Sequence, residues 1–129
     1  MTRVLLVDDN GEMRRSVRTV LADAIGDLTV GEAGDAGEAL ALIERESWQV
    51  VVLDLSLPDR SGIETLREIH RRRPALPVLV MSFHSESEYA AAARAAGAAG
   101  YVAKGSAPSA IASAVRRALE MSGAEPGRP

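Results

Sequence analysis

Residues 49–62 read QVVVLDLSLPDRSG, and the rest of the chain falls into place around them. Val50–Leu53 is an unbroken apolar run, mostly β-branched, too short for a helix and closed by Pro58 and Gly62. Such a run reads as a strand buried on both faces, the kind found inside a parallel sheet. It leads into one carboxylate, Asp54, which then stands at the strand's carboxyl end. In open α/β sheets ligands and chemistry gather at that edge.

The same pattern recurs on either side. Val4–Val7 runs into Asp8, Asp9 and Asn10; Leu28–Ala33 is a weaker strand of edge character; Val78–Met81 ends at Ser82; Tyr101–Ala103 ends at Lys104. Between them lie stretches with helical spacing of apolar residues. Met13, Val17, Val20, Leu21 and Ala24 mark the first helix, with Gly26 as its stop. Asp35 and Glu38 have capping-box spacing for a second, which carries Ala36, Ala39, Leu40 and Ile43 on one face. Ile63, Leu66 and Ile69 face inward from a third that starts near Ser61 and stops before Pro74. Ser85 and Glu88 open an Ala-rich fourth helix that ends at Gly97. Ser106 and Pro108 suit the start of a fifth, with Ile111, Ala114, Val115, Ala118 and Leu119 inward. Strands alternating with helices in this way predict an α/β fold: a five-stranded parallel sheet with five helices covering both faces. Residues 1–121 read as one domain, and 122–129, SGAEPGRP, as a linker or disordered tail.

Composition narrows the function. A chain of 129 residues, 47% apolar, can bury one full core, and with 3% aromatics that core must be aliphatic. No apolar run approaches the roughly 20 residues of a membrane span. The amino-terminal MTRVLLVDDN meets acid too early for a secretory signal. Without cysteine there is neither a disulfide framework nor a thiolate metal site, which favours the cytoplasm. A net charge of −3 gives no global attraction to nucleic acid or an anionic membrane. The basic run Arg71–Arg73 at a helix end reads as a complement to the helix dipole, and Trp48 as packing. Against 14 arginines stands a single lysine, Lys104. A compact ammonium and a planar guanidinium are not interchangeable in a tight site, so that one position draws notice.

If the strands are parallel, their carboxyl ends share one rim, and Asp8, Asp9, Asp54, Ser82 and Lys104 meet there. Crowded carboxylates repel unless a cation joins them, and an all-oxygen donor set suits Mg²⁺. A bare phosphate cradle would want glycines and hydroxyls after the first strand, where this chain has DDNGE.

The ordered set LLVDDN, VVLDLSLPDRSG, VLVMS and GYVAK resembles the receiver domain of two-component response regulators, over nearly the whole chain. The stretch MSFHSESEYAAAARAAGAAGYVAKGSAP resembles receivers of the NarL/FixJ type in particular. The resemblance implies a flavodoxin-like (CheY-like) sheet of strand order 2-1-3-4-5. It implies that Asp54 accepts a phosphoryl group from a histidine kinase or phosphotransfer protein. Asp9, Asp54 and the Ser56 backbone carbonyl would hold Mg²⁺, with Asp8 acting largely through metal-bound water. Ser82 and Lys104 would contact the phosphoryl oxygens. Ser56 and His84 match positions that tune loss of the phosphoryl group, and Tyr101 matches the aromatic that turns inward with Ser82 in the switch. The fourth helix, fifth strand and last helix would be the output face, with homodimerisation on phosphorylation open. Such a chain is a phosphoacceptor that assists its own phosphorylation and dephosphorylation, and not an enzyme acting on other substrates.

Two departures from the pattern stand out. Gly105 follows the lysine where many receivers carry proline, and the helix-turn-helix domain usual in NarL-type regulators is not in this sequence. The chain therefore reads as a stand-alone receiver or as the amino-terminal part of a NarL-type regulator, with DNA bound only through a missing effector domain. A small Mg²⁺-dependent phosphatase with an aspartyl nucleophile is the alternative from another class. Such enzymes usually place a second Asp, the general acid, two residues after the nucleophile, where this chain has Ser56. A flavodoxin-like electron carrier is disfavoured by the acidic first loop and the scarcity of aromatics to stack on a flavin.

Overall fold

The computed structural model describes residues 2–82, 86–105 and 108–122. His84, Ser85, Ser106 and residues 123–129 lie outside the described residues, so the expectations placed on them have no structural counterpart. Among the described residues ten elements alternate: β1 Thr2–Val7, α1 Gly11–Ala24, β2 Leu28–Ala33, α2 Ala36–Arg45, β3 Val50–Asp54, α3 Gly62–Arg72, β4 Val78–Ser82, α4 Glu86–Ala95, β5 Gly100–Ala103 and α5 Pro108–Ser122. The five strands form one parallel sheet in the order β2-β1-β3-β4-β5. β3 lies at its centre and is buried throughout, as the apolar run predicts.

Strand periodicity divides the core into two layers, because successive side chains point to opposite faces. Leu5, Val7, Val51, Leu53, Val78 and Val80 pack with Ala39, Leu40 and Ile43 of α2, Leu66 and Ile69 of α3, and Ala93 of α4. Val4, Leu6, Val50, Val52, Leu79, Met81 and Val102 pack with Val17 and Leu21 of α1 and Ile111, Val115, Ala118 and Leu119 of α5. Nearly all of it is aliphatic. Trp48 is the large exception: it lies over Gly31 of edge strand β2, where an added Cβ would stand 2.2 Å from the ring. Its Nε1 donates to the Leu42 carbonyl at 3.0 Å, and the Arg3 guanidinium sits 4.7 Å from the ring centroid. Trp48 is packing, at the sheet end remote from Asp54.

The structure departs from the sequence reading in local chemistry. α1 stops at Ala24, and the left-handed residue after it is Asp27, at φ 55°, instead of Gly26. Asp35 caps α2 by accepting from Glu38 N at 2.8 Å, but the Glu38 carboxylate turns to Gly34 N, 2.7 Å away, and not to Asp35. In α3, Ile63 is only partly covered, while Thr65 is wholly buried and donates its hydroxyl to the Ser61 carbonyl at 2.9 Å. Arg71 and Arg72 pair with Glu68, Arg72 also with Glu44, and Arg73 donates to the Ile43 carbonyl, so the basic run is held by its own surroundings.

Candidate functional site

Register brings the rim together. Val7 pairs with Leu53, so Asp8 and Asp54, one residue further on each strand, stand level; Asp54 itself pairs with Met81. Asp8 and Asp54 share the parity of Val4, Leu6, Val50 and Val52, and Lys104 shares that of Val102, so the three side chains emerge on the α1/α5 face. Ser82 has the opposite parity, that of Val78 and Val80.

The Lys104 ammonium joins the two acids. Its Nζ lies 2.9 Å from Asp8 Oδ2 and 3.1 Å from Asp54 Oδ2, with all three side chains under 9% exposed. The Lys104 backbone N–H donates to the Ser82 carbonyl at 2.8 Å, which ties the end of β5 to the end of β4. Ser82 is itself buried, at 1% exposure. The Lys104–Gly105 peptide is trans.

Each acid is also held by backbone. Asp8 Oδ1 accepts from Asn10 N at 2.9 Å, and Asn10 in turn caps α1 by accepting from Glu12 N and Met13 N at 3.0 and 3.1 Å. The Asp8 carbonyl accepts from the Arg14 guanidinium, whose Nε donates to Glu32 Oε1 at 2.8 Å. Asp54 Oδ1 accepts from Ser56 N at 3.1 Å, an Asx turn that begins the loop to α3. That loop returns to the sheet through Gly62 N, which donates to the Leu55 carbonyl at 3.1 Å. Gly62 is required for space and not for conformation: a Cβ there would stand 2.3 Å from Leu55 Cα and 2.5 Å from Leu55 O.

Charge does not balance on this rim. Asp9 joins the other two acids, exposed where they are buried, and oxygens of Asp8, Asp9 and Asp54 all lie within 4.8 Å of one another. Three carboxylates against one ammonium leave two negative charges when all are ionised. Burial pushes the Asp54 carboxyl above its ordinary 3.8, and the Asp8 charge adds to this; the Ser56 amide and Lys104 act in the opposite direction. Burial works to lower the Lys104 pKa, but its bonds to Asp8 and Asp54 prevail and hold it above 10.5. Hard oxygen donors this close, carrying surplus negative charge, fit a small divalent cation such as Mg²⁺.

The sequence candidates thus gather as follows. Asp8, Asp9, Asp54 and Lys104 form one cluster, Ser82 borders it through its backbone, and Ser56 is bonded to Asp54. Tyr101 is half-buried in β5 and packs against the α2/α3/α4 layer of the core. Asn10, Arg14 and Asp59 carry no motif of their own in the sequence. Asn10 has a recognisable signal, a capping residue ahead of a helical run. Arg14 and Asp59 make contacts that only the fold brings about.

A doubly wound parallel sheet with acids at two strand ends and a lysine at a third defines the class of receiver-like domains. The chain belongs to the response regulator receiver domain family, which it matches over residues 4–116. It is 40% identical over 116 residues to the transcriptional activator protein ExaE of Pseudomonas putida, covering 90% of this chain and 54% of that protein. It is 37% identical over 116 residues to the response regulator UvrY of Escherichia coli K12, covering 90% and 53%. Relatives of this kind are of the NarL/FixJ type that the sequence resembles. Among solved structures, a LuxR-family two-component response regulator from Aurantimonas sp. superposes with a TM-score of 0.87 at 38% identity, covering 93% of this chain and 86% of that one. A CheY-like receiver from Methanospirillum hungatei gives 0.86 at 29% identity, covering 95% and 96%. The chain spans about half the length of the curated relatives it matches. Among the described residues, no helix is long and apolar enough to cross a membrane.

Proposed function

We propose that this receiver is a phosphorylation switch in which Asp54 takes a phosphoryl group from the phosphohistidine of a histidine kinase or phosphotransfer protein. The observation that carries the reading is the Lys104 ammonium shared between Asp8 and Asp54 at 2.9 and 3.1 Å. An Asp54 carboxylate oxygen attacks phosphorus in line, the P–N bond breaks, and the imidazole nitrogen keeps the electron pair. The product is an acyl phosphate, labile enough for water to remove later and restore the carboxylate. Phosphoryl transfer depends mainly on positioning and charge stabilisation, and Lys104 is placed to supply the latter to a phosphoryl oxygen. Asp9, Asp54 and the Ser56 carbonyl would hold Mg²⁺, with Asp8 one water away. When bound, the ion would neutralise negative charge on the phosphoryl oxygens.

A phosphoryl group on Asp54 draws Lys104 from its present partners and offers acceptors to the Ser82 hydroxyl. Ser82 ends β4, and Tyr101 lies in β5 beside it, so this small change of charge reaches the face formed by α4, β5 and α5. Ser56 and His84 would set the lifetime of the modified state. The same chemistry underlies self-assisted phosphorylation from a small phosphodonor. The aspartyl phosphatase alternative lacks its acid, since Ser56 follows Asp54 by two.

Output through transcription is the favoured reading, because relatives carry names such as transcriptional activator and DNA-binding transcriptional activator, and this chain covers about half of each. DNA contact would then belong to a further domain; tight, sequence-specific DNA binding by these 129 residues alone would contradict it.

The function is tested by intact mass after incubation with acetyl phosphate, with and without Mg²⁺, on wild type and Asp54→Asn. The expected result is a Mg²⁺-dependent gain of one phosphoryl group in wild type only. An equal gain in the variant would contradict the assignment. The receiver from DrrB has been solved activated by BeF₃, and a BeF₃⁻ titration provides the check should the phosphoryl group be lost too fast to weigh.

A further inference from the structure

Asp59 lies at the exposed tip of the loop between β3 and α3, yet both its carboxylate oxygens are engaged with a distant helix. Oδ1 accepts from Ala36 N at 2.9 Å and Oδ2 from Gly37 N at 3.0 Å, the first two amides of α2. These two amides hold its carboxyl below the ordinary 3.8.

Asp59 supplements a cap that α2 already has: Asp35 accepts from Glu38 N at 2.8 Å, and the Glu38 side chain ties the chain just ahead of the helix by accepting from Gly34 N at 2.7 Å. The loop has more to gain. Its other ties lie at its base: Ser56 N to Asp54, Leu55 N to the Met81 carbonyl, Gly62 N to the Leu55 carbonyl, and the bridge between Ser56 and Ser61. Beyond Leu57, which lies partly against the core, Pro58, Asp59 and Arg60 are exposed. An exposed loop tip fixed by few contacts opens at little cost. Asp59 is three residues from Ser56 and two from Ser61, the pair that closes the base.

We propose that Asp59 is a positioning residue for the metal and phosphoryl site: by gripping the first two amides of α2 it holds the loop whose Ser56 carbonyl points the site's third protein ligand. This rests on the receiver reading. In this account α2 is the fixed post and the acceptor loop is the part secured. Loss of the grip widens the range of Ser56 orientations and weakens Mg²⁺ binding before any phosphoryl chemistry.

The test is a Mg²⁺ titration of the whole chain followed by amide chemical shifts, on wild type, Asp59→Ala, Asp59→Asn and Asp35→Ala. Outer-sphere partners of metal sites typically cost about 10-fold or more when removed, and Asp59 acts one step further out, so Asp59→Ala should weaken Mg²⁺ about 3- to 10-fold. Asp59→Asn, with one acceptor oxygen left, should recover part of the loss. Asp35→Ala loosens the same helix without touching the loop and should leave the Mg²⁺ affinity unchanged. Wild-type affinity in Asp59→Ala, or an equal loss in Asp35→Ala, would overturn the proposal while leaving the proposed phosphorylation switch intact. Absence of any Mg²⁺ response in wild type would overturn the phosphorylation switch instead, and this proposal with it.

Discussion

Lys104 Nζ lies 3.1 Å from Asp54 Oδ2, and with Asp8 on its other side it is the one cation paired with the buried carboxylates among the described ion pairs. The contact crosses the sheet from the end of β5 to the end of β3, with β4 between them. No segment of the chain could make it locally. It exists because parallel pairing puts three carboxyl ends on one rim.

Asp54 is expected to cost the fold stability. Its pKa is raised by burial first, with the Asp8 charge adding to it, so the neutral form is favoured in the folded state. The sign follows by linkage: the group's contribution is present below the unfolded value near 3.8 and is lost as pH rises through the higher folded value. Asp54→Asn keeps an acceptor for Ser56 N and cannot ionise. Its urea midpoint relative to wild type should climb across that pH window and stay at or above wild type at neutral pH. A variant less stable than wild type at neutral pH would mean that the Lys104 pair outweighs the cost of burial.

Lys104→Met should act in the opposite direction. It leaves Asp8 and Asp54 facing one another without a counter-charge, and breaking a buried ion pair typically costs about 3 kcal/mol or more. The loss should be greatest in EDTA and should shrink when Mg²⁺ is added. Lys104→Arg should also impair phosphorylation, because a planar fork replaces a point charge held between two acids. Urea unfolding with and without Mg²⁺ measures the first effect and intact mass the second. Equal stability of Lys104→Met and wild type in EDTA would contradict the charge accounting.

Gly62→Ala should be severe for so small a change. The added Cβ would meet the Leu55 backbone at 2.3 Å, and backbone cannot rotate aside as a side chain does. Overpacking of this kind costs about 1–3 kcal/mol. Because Leu55 directly follows Asp54, phosphorylation should slow as well as the unfolding midpoint falling. A midpoint equal to wild type would show that the loop shifts freely.

Much of this was legible in the sequence, for a physical reason. Runs such as Val50–Leu53 and Val78–Met81 are buried on both faces, so their apolar content is continuous and their ends are marked by the first polar residue. That is why Asp54 and Ser82 could be placed on one rim from spacing alone, whereas β5, only partly buried, marks Lys104 less sharply. Contacts made across the fold left no such trace. The tie from Asp59 to Ala36 and Gly37 joins residues 23 and 22 apart, and in sequence Asp59 is one more loop acid after a proline. Arg14 likewise reads as the polar side of a helix, although it holds the Asp8 carbonyl and Glu32. Thr65 can be buried because its hydroxyl finds an acceptor in the Ser61 carbonyl, which a hydrophobic count cannot register. Gly26 was the conventional helix stop, but Asp27, a residue type that tolerates the left-handed region, adopts it instead.

Asp8, Asp9 and Asp54 crowd one site, so the identity of the modified carboxylate is decisive. The direct measurement is to phosphorylate the chain with acetyl phosphate and Mg²⁺, reduce the acyl phosphate with borohydride, and sequence the peptides by mass spectrometry. Reduction turns a phosphorylated aspartate into homoserine and leaves a free carboxylate unchanged. Homoserine at position 54 alone is the expected result. Homoserine at position 8 or 9, with Asp54 intact, would contradict it.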